Sequence, residues 1–392
     1  MKDFIRILKS LISKRNIAGM CGLFLFGLFF FGFSAFHPKV PVVAEQKEID
    51  LEKEDPKTLV KAVRSAQAVK KEKYLVSAST PQFVLLSFDG SKSVDMLRET
   101  LDFESLLSQE GKPLHFTYFI NAAYFLGQGS AYLYQAPGQP AGKSLIGFSD
   151  YVADISLRVE GFNKALEMGN EVGSHLAGHF NGTSWSEADW KQEFNSFNLL
   201  LINMQKNNPS VSIPQVNFGP DTIVGLRAPD LGVNASLYKV LHEYHFLYDA
   251  SGVASLLSRD NWPKKDGYGL WHFPLGRVSL GKNHVSTISM DYNLWMMQSN
   301  VQEEAVKGTE LWQKYKDDVV SAYMDYFNSN FAENRAPVII GHHFNKWNDG
   351  VYWEAMKTFA ESVCGRENVR CVTFKELVEY LNTEGPPPLA TQ

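Results

Sequence analysis

From about residue 80 onward, apolar runs of strand length alternate with stretches of helical spacing, and this alternation most restricts what the chain can fold into. FVLLSF (83–88), HFTYFI (115–120), NEVGSH (170–175), TIVGLR (222–227), HFLYD (245–249), LWHFPL (270–275), PVIIGHH (337–343) and VRCVTF (369–374) read as buried strands. Helical stripes fall between many of them. Trp312, Tyr315, Val319, Ala322 and Tyr326 form one, and Tyr352, Ala355, Phe359 and Val363 form another that ends near Gly365. Alternating β and α predicts a parallel sheet or a barrel, with its chemistry at the carboxyl ends of the strands. Two Gly/Pro-rich stretches, 126–144 and 207–221, read as long surface loops that shape a cleft.

The amino terminus sets the compartment. Residues 1–16 carry Lys2, Arg6, Lys9, Lys14 and Arg15 against one acid, Asp3, and residues 17–36 carry no charge. That apolar run is long enough to cross a bilayer as a helix, and its basic flank should stay in the cytoplasm. The small residues Val42, Val43 and Ala44 resemble a cleavage site but lie well past the apolar run, so an uncleaved anchor is favoured. The expected order is a basic n-region (1–16), a transmembrane signal-anchor (17–36), a charged spacer (37–79), one large domain (80–382) and a Pro-rich tail (383–392). The large domain would then lie in the periplasm or outside the cell, anchored to the inner membrane or secreted. Of the three cysteines, Cys364 and Cys371 bracket a short segment. They could bind a metal or stay free, but in an oxidising compartment a local disulfide is favoured, stapling a helix end to the next strand. The formal net charge of −5 argues against a nucleic-acid partner.

Ionisable residues stand at the ends of the expected strands. Asp89 follows FVLLSF, His175 and His179 follow NEVG, Arg227 ends TIVGL, Asp249 ends HFLY, and His342 and His343 end PVII. A lone strand-end Asp most often caps a helix, and a lone His more often packs than ligates; the whole set is harder to dismiss. Two histidines four apart on one side of a helical turn suit a shared divalent metal.

In order, FVLLSFDGS, NEVGSHLAGH, GLRAP, FLYDAS and PVIIGHHF resemble the five motifs of the polysaccharide deacetylases, the NodB-homology enzymes of carbohydrate esterase family 4. The resemblance runs from about residue 80 to about 382. It implies a distorted (β/α)7 barrel, Zn2+ or another divalent metal, and removal of acetyl from an N-acetylated glycan, expected here to be peptidoglycan or a chitin-like polymer. Carried over residue by residue, Asp89 matches the base, His175 and His179 the metal-binding histidines, Arg227 the residue orienting the base, and Asp249 the carboxylate tuning the histidine acid. His342 or His343 matches that acid; the apolar-x-His pattern favours His342, and His343 is the alternative because adjacent strand residues face opposite sides. The family's first motif has two adjacent aspartates, whereas here Gly90 follows Asp89. Asp89 is therefore base, metal ligand or both, and a catalytically weak or inactive glycan-binding protein is the alternative reading; a small-molecule amidase is a third. Asp230 stands where the family usually has tyrosine, and a backbone N–H near it would help stabilise an oxyanion. Of the rings Trp185, Trp271, Tyr292, Trp295 and Trp347, Trp347 is the candidate wall of a sugar cleft and Trp271 reads as core.

Overall fold

The computed structural model describes residues 74–77, 79–90, 92–254, 262–281 and 284–389. The expected basic n-region, transmembrane segment and most of the spacer lie outside them. Among the described residues no helix is long and apolar enough to cross a membrane.

The strand β1 (Gln82–Asp89) is buried at every position. Its alternate residues serve two faces. Val84, Leu86 and Phe88 join the larger apolar cluster with the helices, while Phe83 and Leu85 join a second cluster that includes Phe119, Tyr248 and Phe273. Ser87 and Asp89 continue the second face as polar residues, so an otherwise apolar strand ends with a carboxylate at its carboxyl end. A strand that must be apolar on both faces is what a sheet covered by helices requires.

Around β1 the sheet runs β10 (Val338–His343), β1, β2 (Phe116–Ile120), β3 (Glu171–Ser174), β4 (Gly225–Leu226), β5 (Tyr248–Val253), β7 (Trp271–Leu275) and β6 (Lys264–Lys265), with β11 (Val369–Cys371) also paired to β1. All these pairings are parallel except β6 with β7. A separate hairpin joins β8 (Arg277–Leu280) to β9 (Val285–Ile288). The α/β class is as expected, but the ladder does not close into the expected (β/α)7 barrel. β7 and β10 share no ladder, and the gap is crossed by the Gly276 N–H donating to the Ile339 carbonyl and by the Met290–Gly341 bridge. The sheet is a curled half-barrel, because the β8–β9 hairpin enters where a further strand would seal it.

The helices are α1 (Val94–Gln109), α2 (Ala153–Glu167), α3 (Glu187–Ile202), α4 (Met204–Asn207), α5 (Ala235–Glu243), α6 (Asp291–Ser299), α7 (Glu310–Ala332), α8 (Trp347–Val363) and α9 (Phe374–Thr383). The two expected stripes are core-facing: Trp312, Tyr315, Val319, Ala322 and Tyr326 on α7 and Tyr352, Ala355, Phe359 and Val363 on α8 are all buried. Several expected strands change length. TIVGLR keeps only Gly225 and Leu226 as strand, HFLYD begins its strand at Tyr248, and VRCVTF stops at Cys371 because Thr373 caps α9 with a reciprocal Thr373–Glu376 box. Tyr74 and Leu389, placed in spacer and tail by the sequence, pair antiparallel with each other.

Cys364 and Cys371 form the expected disulfide between the end of α8 and β11. Closing so short a loop stabilises by about 2–3 kcal/mol through the unfolded chain. The double variant Cys364→Ala/Cys371→Ala should lose about that much in urea unfolding; a midpoint unchanged from the oxidised parent would contradict it.

Candidate active site

Strand register brings the first two groups together. Asp89 on β1 lies opposite His343 on β10, and neighbours in register on adjacent parallel strands present side chains to the same face. His342 is opposite Phe88 and belongs to the other face. It is 1% exposed, and its Nε2 meets the Tyr323 hydroxyl at 2.7 Å. Burial above all lowers its pKa to about 4, so it stays neutral. The expectation favoured His342 for the Asp89 face, but the residue on that face is His343, whose side chain keeps 30% exposure.

His343 Nδ1 lies 2.7 Å from Asp291 Oδ1, and its backbone N–H donates to Asp291 Oδ2 at 2.9 Å. Burial works against a protonated ring, but the charge and hydrogen bond of Asp291, with Asp89 beyond, raise the pKa above the ordinary histidine value. The carboxylate partnering this histidine is therefore Asp291, at the start of α6, and not the expected Asp249. Asp249 is buried elsewhere, accepting from the Ser251 N–H and hydroxyl and lying 3.5 Å from His272 Nδ1. Sequence reasoning missed Asp291; the one signal available was an acid directly after the run HVSTISM.

Arg227 follows β4 and is fully buried. Its Nη1 donates to Asp89 Oδ1 at 2.8 Å and to Ser87 Oγ at 3.0 Å, and its Nε donates to the Ala250 carbonyl at 3.1 Å. The guanidinium lies over the Phe119 ring, 4.4 Å from its centroid. Burial alone would raise the Asp89 pKa, but Arg227, His175 and His343 together hold it below the usual carboxylate range. Asp89 is thus an ionised carboxylate with one oxygen fixed by a rigid fork.

The expected helical turn at His175–His179 is absent. The segment is a loop, with Leu176 and His179 at positive φ, yet the two imidazole centroids are still 5.0 Å apart. Buried Glu193 holds the loop, accepting from the backbone N–H groups of Ala177 and Gly178 and from the Tyr134 hydroxyl. A Cβ at Gly178 would lie 2.3 Å from that hydroxyl, so only glycine fits. His175 Nδ1 donates to the Arg227 carbonyl at 2.6 Å, which leaves the Nε2 lone pair free of the proton. Burial lowers its pKa to about 3, and burial likewise lowers that of His179. A neutral imidazole with its Nδ1 already engaged, as in His175, is the form that binds metal.

Among the described residues no three His, Cys, Asp or Glu side chains come together as a set able to hold an ion. The expected trio of Asp89, His175 and His179 is not such a set; Arg227 engages one oxygen of Asp89, and Gly90 brings no second carboxylate. Two neutral imidazoles, with the buried Oδ1 of Asn121, which has no hydrogen-bond partner and whose own Nδ2 donates to the His175 carbonyl, are the donors that would hold a divalent ion. A divalent ion bound there would supply a Lewis acid for a carbonyl oxygen.

Asp230 is exposed at positive φ in the short turn Pro229–Leu231, and its charge acts on His179. Trp347 stands beside the acid candidate, its ring 5.6 Å from His343 and stacked at 4.5 Å on Trp295, with Tyr292 at 5.7 Å. Trp271 is buried core, and Trp185 packs against Trp190.

No protein-family profile matches the chain. No curated protein matches it in sequence. Among solved structures it is similar to a provisionally named polysaccharide deacetylase from Mycobacterium smegmatis, at 15% identity and a TM-score of 0.50, over 82% of this chain and 98% of that one. It also matches a family 4 carbohydrate esterase from Streptomyces lividans (12% identity, TM-score 0.39, 79% and 98% covered) and a peptidoglycan deacetylase from Bacillus subtilis (13%, 0.38, 79% and 95%). The mycobacterial match extends over nearly the whole of that protein, and the chain shares its α/β fold.

Proposed function

We propose that the chain is a metal-dependent hydrolase that removes N-acetyl groups from an extracytoplasmic glycan, peptidoglycan or a chitin-like polymer. The observation that carries this reading is the register pair on β1 and β10: Asp89 held ionised by Arg227 beside His343, whose pKa Asp291 raises. Two titratable neighbours pushed apart in pKa supply a base and an acid at the same pH. Amide hydrolysis needs both, because water must lose a proton and an amine leaves only when it gains one. Asp89 accepts the proton from water on the oxygen that Arg227 leaves free, Arg227 orients the carboxylate through Oδ1, and His343 delivers a proton to the departing nitrogen. The products are acetate and the free amino sugar. A backbone N–H near Asp230 would take the oxyanion role, and the stacked Trp347 and Trp295 offer a face for a sugar ring. Zn2+ or another divalent ion would sit with His175 and His179.

An exported location, anchored in the inner membrane by residues 17–36 or released, is part of the proposal; the Cys364–Cys371 disulfide supports an oxidising compartment. The test is acetate release from purified peptidoglycan and chitin oligomers, with and without a chelator. Chelator-sensitive release supports the reading. One observation favours a second reading, glycan binding without turnover: Gly90 leaves the site one carboxylate short. Saturable glycan binding with no acetate release would select it.

The acid also predicts a pH profile. Because the pKa of His343 is raised, activity should be lost as pH rises through that raised value. Asp291→Asn removes the charge that raises it, so the alkaline limb should move down in pH. A limb that does not move separates His343 from the proton transfer.

A further inference from the structure

We propose that Asn121 supplies, through Oδ1, the third protein donor to a divalent cation held by His175 and His179. The inference rests on the metal-dependent reading above and adds a ligand to it. Three protein donors are the usual minimum for a site that must hold an ion and keep positions open. Among the described acids and histidines no third one joins the pair. Asp89 has one oxygen held by Arg227 and the other assigned to the base, and Gly90 has no side chain to offer.

Asn121 directly follows β2 and is 1% exposed. Its Nδ2 donates to the His175 carbonyl at 2.5 Å. A carbonyl can only accept, so the amide nitrogen is fixed on that side and Oδ1 must turn to the other. There it is buried with no hydrogen-bond partner. A buried carbonyl oxygen left in that state is costly unless something electropositive meets it. Its direction is given by Gly90: a Cβ at that glycine would lie 3.8 Å from Asn121 Oδ1. The amide oxygen therefore faces the space that a side chain next to Asp89 would have occupied.

The oxygen is also tied to the histidine loop. The His175 N–H donates to the Ile120 carbonyl at 2.8 Å, and the Ala122 and Ala123 N–H groups donate to the Leu176 and Ala177 carbonyls at 3.0 and 3.2 Å. Asn121 and His175 are thus on two sides of one short backbone ladder, which fixes the segments carrying the amide and the imidazole against each other. A neutral amide in place of a carboxylate leaves the bound ion with one more unit of net positive charge. The cost is affinity, and the gain is a stronger Lewis acid.

The test is zinc binding by titration calorimetry and metal analysis, with the d–d spectrum of the cobalt(II)-loaded protein as a readout independent of activity. Wild-type protein should bind one equivalent of zinc and lose it in His175→Ala. Asn121→Leu, close in shape but lacking a donor, should weaken zinc binding at least tenfold and change the cobalt spectrum. Asn121→Asp should bind zinc more tightly than wild type, and it decides the matter if the leucine variant does not fold. Wild-type affinity and spectrum in both Asn121 variants, with His175→Ala still metal-free, would overturn the third ligand and leave the metal reading standing. No zinc bound by the wild type would overturn both.

Discussion

Asp89→Asn should lower acetate release by roughly a thousandfold, the scale on which a positioned general base contributes. Asparagine keeps the shape of the side chain and can still accept from Arg227, but it cannot take a proton from water. The same change has a structural cost, because Arg227 is fully buried and Asp89 is its only carboxylate partner among the described ion pairs. Leaving a buried charge without its counter-ion costs about 3–5 kcal/mol; Ser87 Oγ and the Ala250 carbonyl, which also accept from Arg227, should hold the loss near the lower figure. Activity must therefore be read well below the variant's unfolding midpoint. The pH dependence of unfolding gives an independent check. The folded pKa of Asp89 is depressed, so its contribution is present above the unfolded value of about 3.9 and is lost as pH falls toward the folded one. The variant should lack that component of acid destabilisation. Acetate release within tenfold of wild type, in folded protein, would remove Asp89 from the role of base.

The sequence made some of this architecture readable and hid the rest for physical reasons. FVLLSF is apolar on both faces because helices cover one side of the sheet and the curled interior the other, and such a strand announces itself without an alignment. Asp89, Arg227 and the histidines were visible because polar groups stand out at the ends of apolar runs. Which of His342 and His343 faces inward was not visible: one residue of register flips every side chain, and the register is fixed by pairing with β1 far away in sequence. Asp291 was hidden for a similar reason, since nothing in its own neighbourhood marks it as the partner of a residue 52 positions on. Asp249 looked right by order alone, yet its lone pairs are taken by Ser251 and shared with His272. The spacing of His175 and His179 was read as a helical turn, but a loop with two residues at positive φ also brings two rings together, and spacing cannot separate the two geometries. Asn121 sits at a strand end like the others; a neutral amide draws no notice in a search for charged ligands.

His343→Gln and His342→Gln should separate chemistry from packing, although the two residues are adjacent. With His343→Gln, release of acetate from an N-acetyl sugar should fall by roughly 100- to 10,000-fold, because the departing nitrogen no longer receives a proton. An aryl acetate ester should be hydrolysed at within about tenfold of the wild-type rate, since a phenolate leaves without protonation. That selectivity for the leaving group is what an acid leaves as its mark, and a general loss of structure would not produce it. His342→Gln should behave in the opposite way. It disturbs a fully buried contact with the Tyr323 hydroxyl and should cost about 1–3 kcal/mol of stability, while turnover below the unfolding midpoint stays within a few fold of wild type. If instead His342→Gln abolishes amide hydrolysis and spares the aryl ester, the proton comes from the outer face of β10, and the pairing of Asp89 with His343 across the strands is not the catalytic one.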